Sequence, residues 1–262
     1  MLLYEKTYGI KKRWLLLVLA MIPVVFIILS HMTYYVSSLN ENIKVPTSIN
    51  YHLGKILYGI RVSNGYVRQR NRQIPIQWLI IQFSYLLIIN GFIHEEIKIR
   101  NCNIVRYGTY TTWWKRKIIW FYIISACYYM ILGACIFIEQ RIELIINIPD
   151  HVTFATSNYG EYSQRVYIYT SIYFIMHSLL LGMLQLCLEL KIQSTVALII
   201  NFGLLILGVF SIKIITPCHL AMIIRNGLII ENSILANSLI VIGIICLIVE
   251  SNIGRIICKN GL

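Results

Sequence analysis

IIWFYIISACYYMILGACIFI, from Ile118 to Ile138, runs for 21 residues without a charge. A helix rises about 1.5 Å per residue, so a stretch of this length reaches across a hydrocarbon core of about 30 Å. Five more charge-free apolar stretches flank it, at 14–32, 74–93, 166–188, 194–212 and 232–249. Six such stretches in 262 residues leave little chain for a soluble domain. The pattern predicts an all-α integral membrane protein of six transmembrane helices, organised as one domain over 1–262, whose function is performed in or across a bilayer.

Composition agrees. Hydrophobic residues make up 58 % of the chain and charged residues 13 %, against about 25 % charged in an ordinary soluble domain. The net charge is +12. The basic residues lie between the apolar stretches, where anionic headgroups account for them without nucleic acid. Lys6, Lys11, Lys12 and Arg13 precede the first stretch in the manner of a secretory signal. The stretch is longer than a signal core of about 7–15 residues and no small-x-small site follows, so it reads as a retained helix. Seven scattered cysteines form no C-x-x-C pair; neither a disulfide framework nor a metal site is expected.

Six spans place both termini on one side. With that side cytoplasmic, 13 Lys and Arg lie inside and 10 outside, which favours cytoplasmic termini. Trp113 and Trp114, followed by Lys115, Arg116 and Lys117, read as an interfacial anchor, because amphipathic rings and snorkelling cations favour the headgroup region. Leu53, Ile56, Leu57 and Ile60 have near-helical spacing and predict a short interfacial helix in the first long loop. The loop at 139–165 reads as irregular. The segment 214–230 is apolar but broken by Pro217, Arg225, Asn226 and Gly227, which suits a short re-entrant or interfacial piece.

Asn90, His177, Gln185, Asn201 and Asn237 stand out inside the expected spans. In lipid each needs a partner, so each faces another helix or a wet path. They serve either helix–helix hydrogen bonding or a translocation path. By this reading no Asp, Glu, Lys or Arg lies within a span, which points to an energy source on another polypeptide. No G-x-x-x-x-G-K-[ST] loop, H-E-x-x-H or G-x-S-x-G string is present. No catalytic residue and no cofactor are expected.

Two strings carry resemblances. Glu95-Glu96-Ile97-Lys98-Ile99-Arg100 fits E-E-x-x-x-R, similar to the first motif of the prenyl-endopeptidase-like membrane proteases. Phe174-Ile175-Met176-His177 is one residue short of that family's F-x-x-x-H, and His219 lacks Asn or Asp four residues later. The segment Ile104-Val105-Arg106-Tyr107-Gly108-Thr109-Tyr110-Thr111-Thr112-Trp113-Trp114-Lys115-Arg116-Lys117 resembles the loop between helices two and three in permease subunits of type-2 ABC exporters, especially those of bacteriocin and lantibiotic self-immunity systems. Ile74-Pro75-Ile76-Gln77-Trp78 is similar as well. The local likeness covers 74–120. Tyr110-Thr111-Thr112 departs from the more basic tripeptide of that family.

The resemblance implies a short coupling helix between helices two and three, with Arg106, Tyr107 and Gly108 contacting an ABC ATP-binding subunit. It also implies a second permease subunit, identical or homologous, a bacterial plasma membrane, and an amphipathic peptide as cargo. Two other readings stay open, an intramembrane protease of the E-E-x-x-x-R type and a non-transporting membrane scaffold.

Overall fold

The computed structural model describes residues 18, 21–22, 24–31, 43–44, 49–59, 75–93, 109–146, 153–154, 162–210, 220–225 and 233–259. The architecture is all-helical. The helices are α1 (Ile49–Leu57), α2 (Ile76–Ile89), α3 (Tyr110–Ile146), α4 (Gln164–Glu189), α5 (Ser194–Phe210) and α6 (Ser233–Lys259), and residues 24–31 form a further helical stretch. A two-residue parallel pairing joins β1 (Ile43–Lys44) to β2 (Thr153–Phe154).

Local chemistry sets several ends. Pro75 stands at the start of α2, where its missing N–H costs nothing, and its carbonyl accepts from the Leu79 N–H at 2.9 Å. Past Ile89 the chain turns through Gly91 at φ +73°, a conformation that side chains with a Cβ rarely adopt. Thr109 caps α3, its hydroxyl accepting from the Thr112 N–H at 3.3 Å. Only four residues separate Glu189 from Ser194, so α4 and α5 must fold back as antiparallel neighbours.

Side-chain contacts fix the helix directions. Asn90 of α2 meets Gln185 of α4, and Gln82 meets Ser178, so α2 and α4 run parallel. Tyr85 of α2 meets Ser125 of α3 at 2.8 Å, and Tyr128 donates to the Ile81 carbonyl at 2.8 Å, so α3 runs opposite to α2. Asn237 of α6 accepts from Tyr169, and Cys187 donates to the Glu250 carbonyl, so α6 runs parallel to α4. Directions therefore alternate along the chain from α2 to α6.

Three helices, α3, α4 and α6, are long and apolar enough to cross a membrane; α2 and α5 are shorter apolar helices. Over half of the apolar window of α4 is buried, against 17 % for α6, so α4 is central and α6 peripheral. The face of α6 left outward carries Val241, Ile242, Ile244, Ile245, Ile248 and Val249. An unbroken aliphatic surface of this kind is compatible with contact with lipid.

The helix bounds depart from the sequence expectation in one respect that matters. α3 spans 37 residues instead of the expected 21, and α6 spans 27. Helix 3 is thus about 55 Å long, well over one hydrocarbon thickness. The absence of charge from the helices does not hold. Lys117, Glu139, Glu189 and Glu250 all lie inside them, and Lys117, Glu139 and Glu189 are buried.

The expected short helix near Leu53 is α1. It buries Tyr51, His52, Gly54, Ile56 and Leu57, so it is tucked against the bundle. The broken segment before the last helix behaves similarly over 220–225. Ala221, Met222 and Ile223 are fully buried, the Ala221 carbonyl accepts from the Trp78 indole at 3.0 Å, and the Ile224 N–H donates to the Tyr58 carbonyl at 3.1 Å. Irregular backbone survives inside such a bundle because its polar groups find protein partners.

Candidate functional site: two buried polar clusters

The bundle carries one polar cluster at each end. The first gathers three of the five polar residues expected to line a path. Gln185 of α4 lies at its centre. Its amide nitrogen is 3.2 Å from Asn90 Oδ1 and 3.0 Å from Glu189 Oε1, and its carbonyl oxygen accepts from Asn201 Nδ2 at 2.6 Å. Asn201 also donates to the Leu181 carbonyl. Glu189 closes the cluster by accepting from the Gly91 N–H at 2.7 Å and the Ile93 N–H at 3.2 Å. A buried carboxylate thus takes up two backbone N–H donors of the turn that follows α2, and ties that turn to α4.

The start of α3 lies at the same end. Lys117 is buried, with Nζ 5.5 Å from the centre of the Phe92 ring, inside the turn that Glu189 holds. Trp113 and Trp114 are in the first turns of α3 and face inward, 4 % and 0 % exposed. The Trp114 indole donates to the Ser251 carbonyl of α6 at 3.0 Å. Of the five expected anchor residues, Lys115 and Arg116 are the two exposed ones. Arg106, Tyr107 and Gly108 lie outside the described residues, as do Glu95, Glu96 and Arg100.

The other two expected path residues lie apart from this cluster. His177 is stacked on Trp78 of α2 at 5.8 Å between ring centres, and its Nε2 has no hydrogen-bond partner among the described residues. Asn237 pairs with Tyr169 at 2.9 Å on an exposed part of the α4–α6 contact.

The second cluster was not expected. Glu139 of α3 is fully buried, with Oε1 3.2 Å from His31 Nδ1 and 3.4 Å from His52 Nδ1. Gln77 of α2 closes it, its amide nitrogen 2.6 Å from His31 Nε2. With that amide donating, Nε2 is the acceptor and the ring proton sits on Nδ1, aimed at Glu139. Glu139 Oε2 has no hydrogen-bond partner among the described residues. Four elements meet here: the 24–31 helix, α1, α2 and α3.

Sequence reasoning missed Glu139, Glu189 and Glu250 for one shared reason. Each is the first residue after a charge-free stretch, so reading spans by absence of charge cut every helix short at its carboxylate. His31 and Gln77 lie inside expected spans, and their polarity was the available signal. Compared with known proteins, the chain matches no family model, no curated protein and no solved structure.

Proposed function

We propose that this chain is the membrane-spanning permease subunit of an ATP-driven ABC exporter, a six-span protein of the bacterial plasma membrane with both termini cytoplasmic. The observation that carries this reading is where the first polar cluster lies. It joins α2, α4 and α5 at the end of the bundle where α3 begins, and the segment that resembles an exporter coupling loop leads into that end. A push on this loop would reach Lys117, the Phe92 turn and the Glu189 network before any other buried polar group. Such a connected set of packed side chains is what a coupling device needs if ATP binding is to shift the bundle between two arrangements.

In this reading the chain has no catalysis of its own. Hydrolysis belongs to a separate ATP-binding subunit, engaged through Arg106, Tyr107 and Gly108. A second permease subunit completes the pore, and an amphipathic peptide is the cargo. The alternating helix directions support an even number of spans, with the 24–31 helix as the end of span one. The exposed apolar surface of α6 supports a lipid or second-permease neighbour.

The test is Arg106→Glu in co-expressed complexes. Reversing the charge should abolish co-purification of the ATPase while membrane insertion stays intact. Undiminished association of the ATPase with this variant would remove the loop from the mechanism.

A further inference from the structure

We propose that His31, Glu139, His52 and Gln77 form a proton-binding site, in which the buried carboxylate of Glu139 holds a proton taken up by the His31 imidazole. This stands independently of the exporter reading, since it rests on a different cluster at the opposite end.

A carboxylate buried to 0 % exposure needs compensation. A permanent counter-ion would be Lys or Arg, and the chain has 23 of them. The charged partners found around Glu139 among the described residues are instead two imidazoles, the side chain whose charge changes between about pH 5 and 8. Among the described residues, the other elements packed nearby bring no fixed cation to it. Lys55 of α1 rests over the Tyr51 ring at 4.6 Å. Arg141, on α3, lies over Phe137, and Cys135 is one turn before Glu139. On α4, Arg165 lies over Tyr169, His177 is stacked on Trp78, and Glu189 belongs to the other end.

Glu139 and His52 have no exposed side-chain surface, whereas that of His31 is 7 % exposed. Gln77, half-buried, is the member that reaches outward, and His31 is the imidazole in contact with it. Its two ring nitrogens face different partners, Gln77 on one side and Glu139 on the other. The step balances as follows. An incoming proton bonds to His31 Nε2 as the Gln77 amide turns to offer its oxygen. The Nδ1–H of the resulting imidazolium donates to Glu139 Oε1, and this charge-assisted hydrogen bond holds the added proton on the ring. On discharge the Nε2–H bond breaks, the proton leaves, the Gln77 amide turns back, and the ring returns to its neutral Nδ1–H form. His52 holds the carboxylate in place from α1. Because the groups touch, the proton belongs to the cluster as a unit rather than to one atom.

The experiment is a proton count on the full-length chain in lipid nanodiscs. Proton uptake is measured by titration between about pH 8 and pH 5, the range where imidazole clusters change charge. Wild type should take up one proton more per chain than Glu139→Gln. His31→Gln should lose the same proton, whereas His177→Gln, which removes the isolated imidazole stacked on Trp78, should leave the count unchanged. If Glu139→Gln does not yield a monodisperse protein, His31→Gln and His52→Gln decide the matter by the same count. Equal uptake by wild type and the cluster variants would overturn the proposal and leave the cluster as a structural clamp.

Discussion

Glu189 satisfies two backbone N–H groups and a glutamine amide at once. Replacing it with Leu strands those donors in the interior. Each buried donor left without a partner costs about 1–3 kcal/mol, so Glu189→Leu should destabilise the fold by roughly 2–5 kcal/mol. Glu189→Gln keeps one acceptor oxygen and should cost clearly less. Denaturation in mixed detergent micelles measures both, and equal losses would argue against the capping role. At this scale the sequence was only partly readable. Asn90, Gln185 and Asn201 stood out because an amide in an apolar stretch is conspicuous, and the structure brings these three together. The carboxylates were hidden because a charge marks a span's end when spans are read from hydropathy, although a buried, hydrogen-bonded carboxylate is compatible with helix interior. Nor does a sequence show that His31 and His52, 21 positions apart, converge on Glu139.

The helices pack closely where a small residue allows it. At Gly182 of α4 an added Cβ would come within 2.7 Å of Phe121, 2.9 Å of Ile89 and 2.9 Å of the Tyr85 hydroxyl. Glycine there lets α2, α3 and α4 approach each other, as small residues do in membrane bundles. Gly182→Leu should therefore cost about 1–3 kcal/mol through overpacking. Gly203 of α5 has nothing within 4 Å, so Gly203→Ala should stay within about 0.5 kcal/mol of wild type. Thermal unfolding of the two variants in the same detergent checks the contrast; similar losses would contradict the packing. Helix existence was readable from hydropathy over 118–138 and 166–188, because an apolar run of that length has few alternatives. Helix ends were not. α3 continues through Glu139, Gln140 and Arg141 to Ile146, since polar residues at a helix end neither break it nor remove its hydrogen bonds. The inward turn of Trp114 was equally unreadable. An aromatic beside lysines fits the headgroup region by composition, yet the indole N–H finds its partner on α6.

At the scale of the whole molecule, apolar composition and the spacing of charges pointed to a membrane-embedded helical protein, and the structure supplies three helices able to span. The proposed six-span topology makes a direct demand on sidedness. Lys115 and Arg165 are both exposed, and they lie at the starts of the oppositely directed helices α3 and α4. Single cysteines placed at 115 and 165 in an otherwise cysteine-free chain should react with a membrane-impermeant thiol reagent from opposite sides. In intact cells only the cysteine at 165 should be labelled if the termini are cytoplasmic. Labelling of both from one side would rule out the topology.

The most direct measurement of the central claim is affinity purification of the tagged chain from its native host in mild detergent, with the stoichiometry of co-purifying proteins determined. The exporter reading requires a P-loop ATPase at one copy per permease subunit. A chain that purifies stably with no ATPase would contradict it and shift the weight to a membrane scaffold.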